Sequence, residues 1–566
     1  MRRSMRSLAL VLVWSAGVVS DASAGALRQD EVDKIVAAGK AAGESRVMEH
    51  LDVLTNRIGP RLTSSDNLQN ACEWARDRFA SYGLEAKIEP WGEFPVGFNR
   101  GPWFGRVVEP EARELQFITP SWSAGTKGVV RGKAVLGPWN DGEFAKVKDR
   151  LKGAWVVSPI PTRDHRPTPE FARGLAKKFE AAGVAGVIRP AWTNDLIITD
   201  GNPRVSWDAL PTVPTVRLLK KQFDEVAAWL KEDKPVVLEF DVRNGFKKGP
   251  IKLYNVVADL KGSEKADEYV IVGGHLDSWD GATGATDNGT GAATTIEAAR
   301  ILAKAGVKPR RTIRFMLWSG EEQGFLGSRA YVKAHPELMA KVSAVLVHDM
   351  GTNYLSSITG TEAMQSDLRL AFAPVVGLDP KFPFEVGKVN GLAGGDSDHA
   401  SFLGANVPGF FWGQSGKAVY NRTHHTQFDT YDAAIPEYQR HSALVVALGA
   451  YGIAELDNLL SREKLRLLSR EKLRAPGMQP GNRRVLGIQL EELSVVEVMD
   501  DGIAFKAGIR PGDLILKVDG SEIGDRQELV AAIQKGERKK SVVVVRDGKE
   551  VELTVEWPAT KAQEKN

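Results

Sequence analysis

The chain has 566 residues, 43% apolar and 26% charged, a composition ordinary for globular protein. At about 150 residues per domain, three or four domains are expected, and collagen-like, wholly disordered and polytopic membrane classes are excluded. The 75 basic and 72 acidic side chains leave a formal charge of +3, with no basic excess to suggest a nucleic-acid partner. The lone Cys72 rules out an intrachain disulfide and a cysteine-built metal site, so any metal must be held by His, Asp and Glu.

Arg2, Arg3 and Arg6 precede an apolar run from Leu8 to Val19 and then Ala22-Ser23-Ala24. This order reads as a secretory signal over residues 1–24, cut after Ala24, by either the general or the twin-arginine route. The run is shorter than the roughly 20 residues a membrane-spanning helix needs, and no cysteine follows it to carry lipid, so no stable membrane anchor is expected. The mature protein is expected to be secreted or periplasmic, and cleavage leaves it a charge of +1.

Residues 25–116 begin with a helical pattern, Val32, Ile35 and Val36 and later Ala71, Trp74, Ala75 and Phe79, interrupted by Asn56-Arg57-Ile58-Gly59-Pro60-Arg61. From Trp91 to Trp122 the density of Gly, Pro and aromatics predicts an irregular connection. Residues 117–244 read as a separate unit of short strands (around Ala134, Val156 and Val187) with a helix from Phe171 to Ala182. It carries no set of His and acids at ligand spacing. Over 245–456 the rhythm becomes strand–helix–strand: strands Tyr269–Gly273, Thr312–Trp318 and Ser343–Val347, helices Gly291–Ala305 and Phe325–His335. Continuous apolar strands alternating with helices predict an α/β fold, a mixed, mostly parallel sheet with helices on both faces.

Residues 457–483 contain a repeat, Ser461 to Arg466 and again Ser469 to Arg474, and read as a charged helical linker, either a contact for an anionic surface or, more blandly, a solvated spacer. Residues 484–558 are rich in short strands around Gly508-Ile509-Arg510-Pro511-Gly512-Asp513, and 559–566 form a tail.

Ligands of parallel sheets bind beyond the carboxyl ends of the strands. Listed strand by strand, those ends carry His275 and Asp277, with Asp287 after a Gly-rich turn; then Glu321 and Glu322; then Asp349; and finally a loop with His424, His425 and Asp429. Seven of the nine histidines (275, 335, 348, 399, 424, 425 and 441) lie in this unit. Each pair alone has a bland reading, such as a structural His–Asp hydrogen bond or acids at a helix start. Together, so many acids would repel and protonate unless cations neutralise them, which points to a two-metal site.

These motifs resemble a known family. Gly273-Gly274-His275-Leu276-Asp277-Ser278, Asp287-Asn288-Gly289-Thr290-Gly291, Ser319-Gly320-Glu321-Glu322-Gln323-Gly324, Ser397-Asp398-His399 and His425-Thr426-Gln427-Phe428-Asp429 are similar to the co-catalytic zinc exopeptidases, the secreted aminopeptidases and glutamate carboxypeptidases. The tandem His424-His425 and Trp279 resemble the plasma glutamate carboxypeptidase (carboxypeptidase Q) group, residues 117–244 its protease-associated insert, and 484–558 a PDZ domain. The resemblance implies two Zn²⁺ ions per chain, one held by His275 and Asp349, the other by Glu322 and His425, with Asp287 bridging. It implies Asp277 orienting His275, Glu321 as general base, and a strained, cis-type peptide after Asp287. Many family members have Tyr where His424 stands; an imidazole N–H can donate the same hydrogen bond to an oxyanion, or His424 simply packs.

The expected function is hydrolysis of small peptides by an aminopeptidase or dipeptidase, with a carboxypeptidase of the same mechanism as the alternative. An inactive peptide-binding scaffold is disfavoured because all five ligands and Glu321 are present. The PDZ-like region is expected either to add a C-terminal peptide segment to its sheet edge, with Leu486 to Ile488 as carboxylate loop, or to pack without a ligand.

Overall fold

The computed structural model describes residues 27–466 and 484–557, apart from 42, 159–166, 192, 394, 485, 492, 499–501, 511, 524–525 and 547–548. The expected signal, the second copy of the linker repeat and the tail lie outside the described residues. The chain divides into two compact units, one ending at Leu467 and one beginning at Leu468.

The first unit is built on strands β1 (Glu85–Asn99), β2 (Gly245–Leu260), β3 (Lys265–His275), β4 (Arg311–Trp318), β5 (Val342–Val347) and β6 (Gly409–Phe411). They pair in the order β1-β2-β4-β3-β5-β6. Strands β4, β3, β5 and β6 run parallel, and β1 and β2 add antiparallel at one edge, so the sheet is mixed as expected. Its helices include α1 (Gln29–Lys40), α2 (Asp66–Ser81), α3 (Thr290–Ala305), α4 (Leu326–Ala334) and α5 (Pro436–Glu455).

Strand residues alternate between two cores. Val270, Val272, Phe315 and Leu346 pack with Ile35, Phe79, Ile296 and Leu444 of α1, α2, α3 and α5. Ile271, Met316, Val345 and Val347 point the other way, against Tyr331 of α4 and Phe402. Both faces are thus covered, which is why these strands read as unbroken apolar runs. At the start of α2, the Ser65 hydroxyl accepts from the Leu68 N–H at 3.1 Å and caps the helix.

Two expectations fail in the stretch from Trp91 to Trp122. Most of it is not an irregular connection, because β1 is a 15-residue strand and Trp103–Glu109 is another. Pro90 and Pro95 are tolerated because β1 is an edge strand whose register shifts at Pro90/Gly92 and Phe94/Val96. The insert also begins earlier than residue 117. Trp103–Glu109 belongs to its eight-stranded sheet, between Arg113–Glu114 and Val237–Val242. The core of that sheet is aromatic: the Trp155 and Phe117 rings lie 4.5 and 5.0 Å from Phe240.

The expected charged helix is also absent from residues 457–466. Leu465–Arg466 instead pairs as a short strand with Leu392–Ala393, and the Arg462 guanidinium donates to the carbonyls of Met339, Val342 and Asn406. An Arg fork that satisfies several carbonyls outweighs local helix propensity here.

The second unit is an antiparallel sheet in the order Ile488–Glu491, Ser494–Val498, Leu514–Val518, Lys539–Arg546 and Lys549–Glu556, with helices Ile503–Ala507 and Arg526–Gln534. Val495, Ile515, Val542, Val544 and Leu529 form its core.

The insert is joined to the six-stranded sheet by a buried ion pair. Arg100 and Asp280 meet at 2.8 Å with side chains 2% and 3% exposed, and the Ser121 hydroxyl donates to the same carboxylate oxygen at 2.5 Å. Removing one partner strands a buried charge. Asp280→Ala is therefore expected to cost about 3–5 kcal/mol, read as a lower urea midpoint with fluorescence as the probe.

Candidate metal centre

The site follows from strand adjacency. Strand β3 ends in His275, β4 leads into Glu321 and Glu322, and β5 into His348 and Asp349; because β3 lies between β4 and β5, these termini are neighbours. Asp287 comes from the turn entering α3, and His425 from the loop after the short helix Tyr420–Thr423, at φ +57°.

Asp287 divides the site. Its Oδ1 lies 3.3 Å from His275 Nε2, which is in turn 3.5 Å from Asp349 Oδ2. Its Oδ2 lies 3.1 Å from His425 Nε2, which is 2.9 Å from Glu322 Oε2. One carboxylate thus offers an oxygen to each of two His–carboxylate pairs. His424 stacks on His425 with ring centroids 3.9 Å apart, and its Nε2 is 3.7 Å from Asp287 Oδ2. All five expected ligands and His424 are brought together.

Asp277 acts differently from the expectation. His275 Nδ1 is 3.0 Å from the main-chain carbonyl of Asp277 and 3.7 Å from its carboxylate. The carboxylate instead accepts the N–H groups of Glu321 and Glu322, both at 3.3 Å, and the Thr63 hydroxyl at 3.0 Å. One residue thus orients the imidazole through its backbone and holds the glutamate turn through its side chain. The peptide between Asp287 and Asn288 is cis, as the resemblance implies.

Other positioning groups were given no role by the sequence, although Asp429 and Ser397 lie within its motifs. The Asp429 carboxylate accepts from the Thr286 N–H at 2.5 Å and the Asp287 N–H at 3.3 Å, fixing the bridging residue. Arg61 is fully buried and donates to the carbonyls of Leu54, Gly59, Leu276, Thr283 and Gly284, tying the His275 and Asp287 loops to the N-terminal helices. The Ser397 hydroxyl donates to Asp349 Oδ2 at 2.8 Å. Of the remaining histidines in this unit, His335 pairs with Glu89, and His348, His399 and His441 are buried with lowered pKa values, about 4, caused by burial.

The electrostatics call for added positive charge. Asp277, Asp287, Glu321, Asp349, Asp398 and Asp429 are all buried, and the Glu322 side chain is 3% exposed. Arg61 is a buried cation among them, its pKa lowered to about 10 by burial against the pull of Asp429 and Asp277. Without metal, burial and the charge of Asp287 push Glu322 up to about 7, and burial raises Asp429 and Asp398 to about 7. Glu321 is held well above the usual range by burial and by the Asp349, Asp398 and Glu322 carboxylates. Burial opposes charge on His425, but Glu322 and Asp287 raise it to about 10. Asp287 itself falls far below the carboxylate range, because the His275 and His425 imidazoles facing its two oxygens outweigh its burial.

His275 Nε2, Asp287 Oδ2 and Glu322 Oε1 are buried without a hydrogen-bond partner, and the donor atoms of His275, Asp287 and Asp349 lie within 4.8 Å of one another. Unsatisfied imidazole nitrogen and carboxylate oxygen converging at such distances fit a borderline dication such as zinc.

Comparison with known proteins agrees with this geometry. Residues 255–449 match peptidase family M28, and residues 494–546 match the PDZ domain. Carboxypeptidase Q of Rattus norvegicus is 29% identical over 429 residues, 74% of this chain and 87% of the rat protein. A probable glutamate carboxypeptidase of Arabidopsis thaliana is 34% identical over 228 residues, 37% of this chain and 31% of the plant protein. Among solved structures, a peptidase M28 precursor from Shewanella amazonensis SB2B superposes with a TM-score of 0.55 at 25% identity, over 76% of this chain and 98% of its own. The chain is thus similar to peptidase family M28 over residues 255–449 and to the PDZ domain over residues 494–546.

Proposed function

We propose that the protein is an exported exopeptidase with two zinc ions per chain that releases N-terminal residues from small peptides or splits dipeptides. The observation that carries the dinuclear reading is the division of Asp287, whose two oxygens face separate His–carboxylate pairs. His275 and Asp349 would hold one ion, Glu322 and His425 the other, and Asp287 both. When bound, the pair supplies Lewis-acid polarisation of the scissile carbonyl and a nucleophilic water near neutral pH.

The chain's own residues do the rest. Glu321 takes the proton of the attacking water and passes it to the leaving amine nitrogen. Its metal-free pKa is raised by burial and neighbouring carboxylates, and dications beside it would bring it down into a working range. His424, kept neutral by burial and the charge of His425, donates its N–H to the developing oxyanion. No covalent enzyme intermediate is required.

A small cavity at the site is lined by Thr199, Trp279, Ala282, Asp287, Glu322, His425 and Asp429. Thr199 comes from the insert, so the insert walls one side of the site and favours short substrates over a long chain threading through. The carboxypeptidase reading is supported by the names of the rat and plant relatives. Export rests on residues 1–24; among the described residues no helix is long and apolar enough to cross a membrane. The insert is read as a protease-associated module and the PDZ domain as a holder of C-terminal peptide segments through its sheet edge.

Glu321→Gln is expected to lower kcat by about 10²–10⁴-fold with metal content unchanged by elemental analysis, and loss of metal would place Glu321 among the ligands instead. Peptides blocked at the C-terminus should be cleaved and those blocked at the N-terminus spared. The reverse pattern, read by mass spectrometry, would establish the carboxypeptidase, and equal cleavage of doubly blocked peptides would rule out both. Because neighbouring carboxylates raise His425 to about 10 and hold His275 well above the imidazole range against their burial, and burial lifts Glu322 to about 7, metal must displace protons from all three below pH 7 but mainly from the two imidazoles at pH 8. Zinc affinity should therefore rise with pH, and calorimetry should find more protons released per chain at pH 6 than at pH 8.

A further inference from the structure

The last metal ligand sits in a loop that the insert grips. His425 has a positive φ of 57°, a conformation uncommon for a residue with a Cβ, and its loop is braced from outside. The grip comes from the insert segment Asp195–Gly201. The Thr199 N–H donates to the His425 carbonyl at 2.7 Å, and Ile198 pairs with Thr426 in an antiparallel bridge. The Gln427 side chain closes the contact in both directions: its Oε1 accepts from the Ile197 N–H and its Nε2 donates to the Asp195 carbonyl, each at 2.8 Å.

The segment is itself anchored to the insert. Arg217 donates to the Ile198 carbonyl and makes two bonds of 2.9 Å to the Asp200 carboxylate, and the Ser121 N–H donates to the Asp200 carbonyl at 2.9 Å. From the other side it lies against the loop after His275. A Cβ on Gly281 would overlap the Thr199 hydroxyl and also crowd its Cβ at 3.1 Å and Cγ2 at 3.2 Å, so that Thr199 must both rotate and give by a few tenths of an ångström. Thr199 is 2% exposed, and its Oγ, without a hydrogen-bond partner, lines the cavity that holds Asp287, Glu322 and His425.

We infer that the insert segment Asp195–Gly201 is a positioning element for His425, so that the Glu322–His425 metal site is complete only while the insert is docked. His275 instead closes β3 in register with Trp318 of β4, and Asp349 follows two residues after the β5 ladder ends, held by the Ser397 hydroxyl. The two halves of the centre therefore differ in support: one is set by the sheet, the other by a hydrogen-bonded contact between the insert and a loop. Loosening that contact should weaken one metal and spare the other, a signature that a general loss of stability does not produce.

This inference rests on the two-metal reading, and the test separates them. The full-length protein, stripped of metal, is titrated with Co²⁺ by visible absorption and with Zn²⁺ against a chelator. Wild-type protein that takes up fewer than two ions would overturn the dinuclear reading. If it takes up two, Gln427→Ala, which removes both side-chain bonds, and Gly281→Ala, which pushes Thr199 away from the opposite side, are each expected to weaken one ion by about 10–100-fold and leave the other at wild-type affinity. Using variants from both sides keeps the result decidable if one fails to fold by circular dichroism. Wild-type affinity for both ions, or equal weakening of both, would overturn the inference.

Discussion

The arrangement of this protein turns on the concentration of buried carboxylates at the carboxyl edge of one sheet. Asp277, Asp287, Glu321, Asp349 and Asp429 are buried within reach of the Arg61 guanidinium and the His275 and His425 imidazoles. In a low dielectric such a group either protonates or is neutralised by cations. The metal-free centre shows the first response, with Glu322 and Asp429 raised to about 7. A pair of dications would supply the second, and the unpaired donor atoms mark where they would be held.

The surrounding structure keeps these groups in place rather than reacting. Asp277 uses its carbonyl for His275 and its carboxylate for the glutamate turn, so the ligand at the end of β3 and the proposed base beyond β4 share one anchor. Asp429 holds the backbone at Asp287, and Arg61 draws carbonyls from separate loops into one buried cluster. Hydrogen bonds to a charged group inside the protein are strong and directional, which suits a centre whose ligands need placing to a fraction of an ångström.

Much of the fold was legible because its strands and helices announce themselves by period. Strands β3, β4 and β5 and helix α3 fall where unbroken apolar runs and helical spacing put them, within a few residues. The ligand set was legible because each ligand follows a strand or sits in a motif of fixed spacing. Edge strand β1 was not, because Pro90 and Pro95 are breakers in an isolated chain yet tolerable at bulges of an edge whose N–H groups need no partner. The 457–466 segment failed for a similar reason: its charged repeat favours a helix locally, and Arg462 finds carbonyl partners only in the folded core.

By itself the sequence determined that a metal here would be bound through nitrogen and oxygen, since Cys72 stands alone. It also determined which strand ends carry donors, because strand period and motif spacing are local properties. Only the tertiary structure decided that the oxygens of Asp287 face different pairs, that Asp277 serves His275 through its backbone, and that Arg61 and the insert's Thr199 belong to the centre. These depend on contacts between residues far apart in the chain. A buried Arg or a main-chain N–H carries no mark in sequence of the carbonyl it will meet.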